Sequence, residues 1–167
     1  MESTMRFCPI GTIRTGFALP QGTPVQGAYA GGATGTVELL PEFVPGLKDL
    51  AGFDRIWLLY WLDRTAPPQL EVVPYLDSKP HGVFATRSPC RPNAIGMSVV
   101  RLMGVEGATL WVADVDMLDG TPLLDIKPYV PAFDVFAVER VGWCEGITKH
   151  TCKTADNRFA PVSPTTG

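Results

Sequence analysis

A chain of 167 residues can bury one full core and is too short for two comfortable domains. With 46% apolar and 19% charged residues it has the composition of an ordinary globular protein, and its 17 Gly and 16 Pro imply many turns, few long helices and a β-rich fold. A formal net charge of −3 argues against a broad, sequence-independent nucleic-acid binder, which carries an excess of Lys and Arg.

In chain order, residues 8–15 read as a strand, with Ile10 and Ile13 apolar and Pro9 suited to an edge. A Gly- and Pro-rich loop over 16–35 is long enough to have a role of its own. Residues 36–40 form the next strand. The short-helix candidate is 41–50, with Phe43, Val44, Leu47 and Leu50 on one side, weakened by Pro45 and Gly46 in its middle. Residues 54–63 read as a strand apolar on both faces, Ile56, Leu58 and Tyr60 on one and Trp57, Leu59 and Trp61 on the other. Residues 83–86 read as a strand running into a proline-rich turn. Residues 98–105 and 109–116 read as a hairpin about a short Gly loop. Residues 123–130 add a strand and 134–141 a further one. Short strands separated by turns predict a sandwich or barrel. After Val141 the chain becomes polar, and residues 160–167 are expected to be disordered.

The first ten residues carry charges and a proline rather than a long apolar run, so no signal peptide is expected. The apolar run 56–62 stops at Asp63-Arg64, well short of a membrane span. Cys8, Cys90, Cys144 and Cys152 fit neither a CxxC pair nor a compact disulfide framework, and are expected as free thiols of a cytoplasmic protein.

Two constellations carry chemistry. In Arg87-Ser-Pro-Cys-Arg-Pro-Asn-Ala-Ile-Gly96 the prolines preshape the turn. Its arginines suit planar contact with carboxylate or phosphate, and Gly96 leaves room for a close backbone approach. The alternative is a purely structural loop. Lys79, His81, Arg87, Arg91 and Arg101 have no carboxylate between them in sequence; they form a local positive patch or lie scattered and solvated over loops. In the second constellation, residues 116–129, Asp119-Gly120 marks a turn. Asp125, Lys127 and Tyr129 share one strand face at period two, as part of a site or as a solvated face with an ion pair. Cys144, His150 and Cys152 lack a fourth ligand and match no usual metal spacing, so no metal is expected. A nucleophile elbow, a phosphate loop and a dinucleotide fingerprint are all missing, which disfavours a Rossmann enzyme.

The runs 82–98 and 118–129, with Ile10-Gly-Thr-Ile-Arg14 and Phe53-Asp-Arg-Ile-Trp-Leu-Leu-Tyr-Trp61, resemble the TsaA/TrmO (YaeB-like) family over residues 7 to 143. The resemblance implies an all-β fold, a closed and mainly antiparallel β-barrel with one or two short helices over residues 1–143, followed by a partly disordered tail over 144–167. It also implies a homodimer that binds S-adenosylmethionine. Characterised members methylate the N6 nitrogen of threonylcarbamoyladenosine beside the anticodon of certain tRNAs, so the tRNA anticodon loop is the expected partner. Matched residue by residue, the implied cofactor contacts are Arg87 and Met97, then Asp116, Met117 and Leu118, with Gln26, Asp63 and Arg64 on the rim. Val25 replaces an arginine of the family pattern, Asp63-Arg64 a His-Gln pair and Ala94 a proline. Better-studied tRNA-modifying members carry a second, C-terminal domain unlike the segment after Cys144. The substrate side is expected at Arg91, Asn93 and Lys127, with Asp125 or Tyr129 accepting the nitrogen's proton and Lys79, Arg91 and Arg101 meeting phosphates. Two alternatives stay open: the same chemistry on a small molecule or protein, and a non-catalytic S-adenosylmethionine-binding module.

Overall fold

The computed structural model describes residues 5–147 and 153–161. Among them the strands are β1 (Gly11–Thr15), β2 (Thr34–Leu39), β3 (Arg55–Trp61), the short β4 (Glu71–Val72) and β5 (His81–Gly82), β6 (Ile95–Glu106), β7 (Thr109–Ala113) and β8 (Thr121–Pro128). Alternation along the longer strands points one apolar set inward. Ile13, Val37, Ile56, Leu58, Leu110 and Leu123 are all fully buried, each stabilising the core by about 1.5–3 kcal/mol relative to exposure.

The sheet closes into a barrel in the order β1-β2-β7-β6-β3-β8, with β8 returning to β1 and every neighbouring pair antiparallel. Register shifts between Leu59 and Tyr60 against β8, and between Leu102 and Gly104 against β7, supply local twist for closure. The expected hairpin forms: Glu106 pairs with Thr109 across Gly107-Ala108. Strands β4 and β5 make a separate ribbon beside the barrel.

Four expectations are corrected. Strand β3 is buried on one face only, Ile56, Leu58 and Tyr60 pointing inward while Trp57 and Leu59 are half-buried and Trp61 is exposed. A barrel wall has one dry side, and Trp57 packs against Tyr129 outside, with ring centroids 5.9 Å apart. The helix expected over 41–50 is two 3₁₀ segments, Pro41–Leu47 and Leu50–Gly52, because Pro45 lacks the N–H that an α-helix needs. The strand expected over 83–86 is a 3₁₀ turn, Val83–Ala85, of which only Val83 is buried. The strand expected over 134–141 does not form. One helical turn, α1 (Pro131–Asp134), leads into unpaired chain, since a closed barrel offers no free edge. No helix of the described residues is long and apolar enough to cross a membrane.

Residues 153–161, assigned from sequence to the tail, are folded against the loops beside the barrel. The Gly22 and Val25 N–H groups donate to the Ala155 and Lys153 carbonyls (3.0 and 3.1 Å), and the Ala155 N–H returns a 2.7 Å bond to Thr23. The Ala66 N–H donates to the Phe159 carbonyl at 3.0 Å. The Phe159 ring enters a small second core with Val72, Val83 and Cys90, edge-on to Tyr75. Residues 162–167, most of the stretch expected to be disordered, lie outside the described residues. Because this latch is separate from the barrel core, Phe159→Ala should release it locally. Amide exchange at Val25 and Ala66 is expected to accelerate about ten-fold or more while Leu58 and Val100 stay protected, as read by NMR hydrogen exchange; equal loss at all four sites would show that the latch and the barrel unfold as one.

Candidate functional site

At one end of the barrel β3 finishes, β6 and β8 begin, and the chain leaving β7 turns across the opening. The turn starts at Asp114, whose positive φ of 67° is held by a 2.9 Å bond from Arg55 Nη2 to its carboxylate. Strand β1 fixes the rest: Thr15 Oγ1 donates to the Met117 carbonyl at 2.9 Å, and the Gly120 N–H to that of Ile13 at 2.8 Å. A cleft of about 410 Å³ opens above this turn.

Its floor is a chain of polar groups among apolar neighbours. Ser98 points inward from β6 and donates to Asp116 Oδ1 at 2.6 Å, and its Oγ lies 2.9 Å from the Tyr60 hydroxyl on β3. Tyr60 faces Gly96 across the β3–β6 pair, where a Cβ would stand 2.1 Å from the ring. Only glycine lets the ring lie there. Gly27, beside Asp116, is another such position, since a Cβ would sit 2.9 Å from the Asp114 carbonyl oxygen. Burial pushes the Asp116 carboxyl up to about 6, although the Ser98 hydroxyl, the Gly27 N–H and the Arg87 charge favour its ionised form. Burial, with the Asp116 charge second, also pushes the Tyr60 phenol well above its usual range, so it stays protonated. Among the described residues, no buried side-chain polar atom lacks a partner.

The walls bring guanidiniums over this floor. Arg87 Nη1 donates to Gln26 Oε1 at 2.6 Å, joining the proline-rich turn to the long loop after β1. Arg91 Nη1 braces the same turn through the Thr86 and Ser88 carbonyls (3.2 and 3.4 Å). Arg64 reaches the Asp119 carbonyl at 2.7 Å and pairs with Asp63 at 3.3 Å. Cations at the rim and a carboxylate on the floor suit a ligand that carries both signs of charge.

All the residues expected to contact a cofactor line this one cleft: Gln26, Asp63, Arg64, Arg87, Met97, Asp116, Met117 and Leu118. Arg91 and Asn93 line it as well. Asp125, Lys127 and Tyr129 do not. Asp125 pairs with Leu59 and Lys127 with Trp57 on the outward face of β3, and Lys127 Nζ sits 2.7 Å from Asp125 in an exposed ion pair. The basic patch also divides. Arg101 lies 3.9 Å from Asp114 and His81 lies 2.8 Å from Asp77, which leaves Arg87 and Arg91 at the cleft. His150 and Cys152 lie outside the described residues, and among those described no group of three or more metal-ligating side chains gathers.

Sequence reasoning missed Ser98, Tyr60, Gly27 and Phe159. For the first two a signal existed, a hydroxyl and a phenol at inward positions of otherwise apolar strands. For Phe159, one aromatic in a polar tail carried none.

Comparison with known proteins matches residues 12–135 to the family model described as the tRNA-methyltransferase O N-terminal domain. A probable S-adenosyl-L-methionine-binding protein of Pyrococcus abyssi is 53% identical over 90% of this chain and 83% of its own length. The tRNA (adenine(37)-N6)-methyltransferase of Mus musculus is 35% identical over 75% of this chain but only 31% of the mouse protein. The crystal structure of TrmO from P. aeruginosa superposes with a TM-score of 0.72 at 44% identity, covering 86% of this chain and 63% of that one. The chain thus spans less than two thirds of the latter two relatives.

The floor is testable without any ligand. A raised carboxyl pKa means that the folded state binds a proton the unfolded chain has released. The stability linked to that proton is full below the ordinary carboxylate range, about 4, and is lost as pH rises through about 6. Removing the hydroxyl that favours the anion should raise the pKa further. Ser98→Ala is therefore expected to titrate Asp116 above the wild-type value in carboxyl ¹³C NMR. It should also cost about 2 kcal/mol more at pH 7.5 than at pH 4; a pH-independent cost would show that the hydroxyl does not support the charge.

Proposed function

Because the chain belongs to the family of the tRNA-methyltransferase O N-terminal domain, we propose that it is an S-adenosylmethionine-dependent methyltransferase acting on the N6 nitrogen of threonylcarbamoyladenosine beside the anticodon of tRNA. The observation that carries this reading is the convergence of the matched residues: positions scattered from Gln26 to Leu118 line a single cleft. S-adenosylmethionine supplies a sulfonium methyl group and carries an ammonium and a carboxylate, and the cleft's donors fit those charges. Arg64, Arg87 and Arg91 suit the carboxylate, Asp116 suits the cationic end, and Met97, Met117 and Leu118 offer apolar contact to the rest.

Methyl transfer to an amide-like nitrogen is an in-line displacement that depends mainly on alignment. The braced turn at 86–91 and the anchored turn at 114–120 give that alignment a rigid frame. The nitrogen must also release a proton as its new bond to carbon forms. Among the described residues the carboxylates that line the cleft are Asp63 and Asp116, and burial poises Asp116 near neutrality, suited to hold that proton. Asp125 and Tyr129, the candidates taken from sequence, stand outside the cleft of their own subunit. Residues 153–161 belong to the same working unit, since Ala155 and Phe159 line the cleft.

The reading extends to a cytoplasmic homodimer. What supports the dimer is the chain after β8, where Phe133, Val135, Phe136 and Val138, close in sequence, are each at least 60% exposed, as apolar side chains of an interface are in the separated subunit.

The purified chain, given S-adenosylmethionine and tRNA bearing threonylcarbamoyladenosine, should yield the N-methylated nucleoside in mass spectrometry. Binding of S-adenosylhomocysteine without product on any tRNA would overturn the tRNA acceptor and leave the two alternatives, a methyltransferase of small molecules or proteins and a non-catalytic module. In calorimetry Arg87→Ala is expected to weaken S-adenosylhomocysteine binding about ten-fold or more, the scale of a lost charge-assisted hydrogen bond, while Lys127→Ala leaves it unchanged. Phe136→Asp should halve the mass seen by light scattering; a wild-type chain that elutes as a monomer would remove the dimer.

A further inference from the structure

Tyr60 and Asp116 line the cleft, and Ser98 stands behind them. The three side chains form a line, with the Ser98 Oγ 2.6 Å from Asp116 Oδ1 and 2.9 Å from the Tyr60 hydroxyl. Counting protons along this line fixes its direction. A hydroxyl carries one proton and a carboxylate carries none. With Asp116 ionised, the Ser98 proton is committed to Asp116, so the Tyr60 hydroxyl donates to Ser98 and spends its own proton there. Burial keeps the phenol protonated well beyond neutral pH, so this donor is never withdrawn. Tyr60 reaches Ser98 at all because Gly96, opposite it on β6, has no side chain.

Protonation of Asp116 does not reverse the line. Were Asp116 to donate to Ser98, the Ser98 or the Tyr60 proton would lose its acceptor. Among the described residues these two hydroxyls have only each other and Asp116 as partners. Both side chains are buried, where an unmet O–H is costly. The proton is therefore taken up on Oδ2, and Ser98 keeps its bond to Oδ1 in either state.

Other charges do not govern the Ser98 proton. Among the described residues, Asp63, Arg64, Arg87 and Arg91 share the cleft with Asp116. Arg64 pairs with Asp63, Arg91 is bound to carbonyls of its own turn, and two residues before Asp116 the Asp114 carboxylate is held by Arg55. Arg87 is the cation whose charge reaches Asp116. With Gln26 it partitions the cleft from an adjoining one of about 620 Å³, walled by Tyr75, Phe84 and Trp143, which neither Tyr60 nor Asp116 reaches.

We propose that Tyr60 is a positioning residue for methyl transfer: by donating to Ser98 it holds the Ser98 proton on Asp116 Oδ1 and leaves Oδ2 to receive the proton of the acceptor nitrogen. This rests on the function proposed above, in which Asp116 takes that proton. As the nitrogen–carbon bond forms, the electrons of the carbon–sulfur bond return to sulfur. The N–H proton passes to Asp116 and cancels its charge. Without the phenol, the Ser98 hydroxyl is free to rotate away, and the anion loses the donor that prepares it.

The test starts on the full chain without ligand. Carboxyl ¹³C NMR follows Asp116, identified by the loss of its signal in Asp116→Asn. Tyr60→Phe, which keeps the ring and removes the hydroxyl, is expected to raise the Asp116 pKa by about half a unit or more. In a Ser98→Ala background the same substitution should add nothing, because Tyr60 acts through Ser98. No shift, or an equal shift in both backgrounds, overturns the proposal. In single-turnover methyl transfer to tRNA, Tyr60→Phe should move the acid limb of the pH profile upward by the same amount. The rate then falls about three-fold on that limb and returns to within about two-fold of wild type above pH 8, with S-adenosylhomocysteine affinity at that pH unchanged. A loss of equal size at every pH marks a merely structural role and overturns the proposal. A wild-type chain that shows both NMR results but methylates no tRNA removes the proposed acceptor and leaves the hold of Tyr60 on Asp116 standing.

Discussion

The hydrogen bond from Ser98 to Asp116 is the contact on which the working end of this protein depends. A carboxylate taken out of water costs several kcal/mol unless its oxygens are met by donors. Here the Ser98 hydroxyl and the Gly27 amide meet them. Each donor comes from a different part of the chain, so satisfying one charge ties together strand β6, the turn after β7 and the long loop after β1. Tyr60 extends the chain to β3 through the Ser98 hydroxyl. A single polar cluster thus fixes the relative positions of most elements that border the cleft.

That cluster holds because the barrel beneath it is closed. Each of the six strands of the closed sheet has two hydrogen-bonded neighbours, which leaves no edge to fray and little freedom for the strand ends that carry Tyr60, Ser98 and Thr121. The turn over residues 116–120 inherits this rigidity through its bonds to β1. Asp119 adds to them by accepting from the Thr15 N–H at 3.1 Å. Preorganisation of this kind lowers the ordering cost that a ligand would otherwise meet on binding.

Outside the barrel, the second layer is built from loops and polar contacts. Prolines stiffen the turn at 86–93, and Arg91 spends its hydrogen bonds on that turn's own carbonyls, which frees Arg87 to project between two clefts. Residues 153–161 close the back of this layer through Phe159 and a short run of backbone bonds to residues 22–25. Arg158 adds bonds to Asp156 and to the Pro74 carbonyl and lies over Tyr75, 5.2 Å from the ring centroid. The aromatic walls of both clefts therefore rest on contacts between segments far apart in sequence.

The two faces of the strand through Ile56, Leu58 and Tyr60 were legible in the sequence, because alternation in a strand is a local property, and so was the hairpin at Gly107; the strands alone left sandwich and barrel open, and the family resemblance supplied the barrel. The cleft residues from Gln26 to Leu118 were legible through the family resemblance that the long motifs carry; their residue types alone left a structural loop open. Other features depended on which strands become neighbours, and a local pattern does not carry that. The outward position of Asp125, Lys127 and Tyr129 follows from pairing with Leu59 and Trp57 on the wet side of a closed wall. The stretch 134–141 has a strand's composition but finds no edge to pair with. The folding back of Phe159 and the raised pKa of Asp116 likewise arise from long-range packing. By itself the sequence determined the barrel's alternation and the identity of the cleft's charged groups. Tertiary structure decided which face each group meets, because burial and hydrogen bonding are properties of neighbours in space.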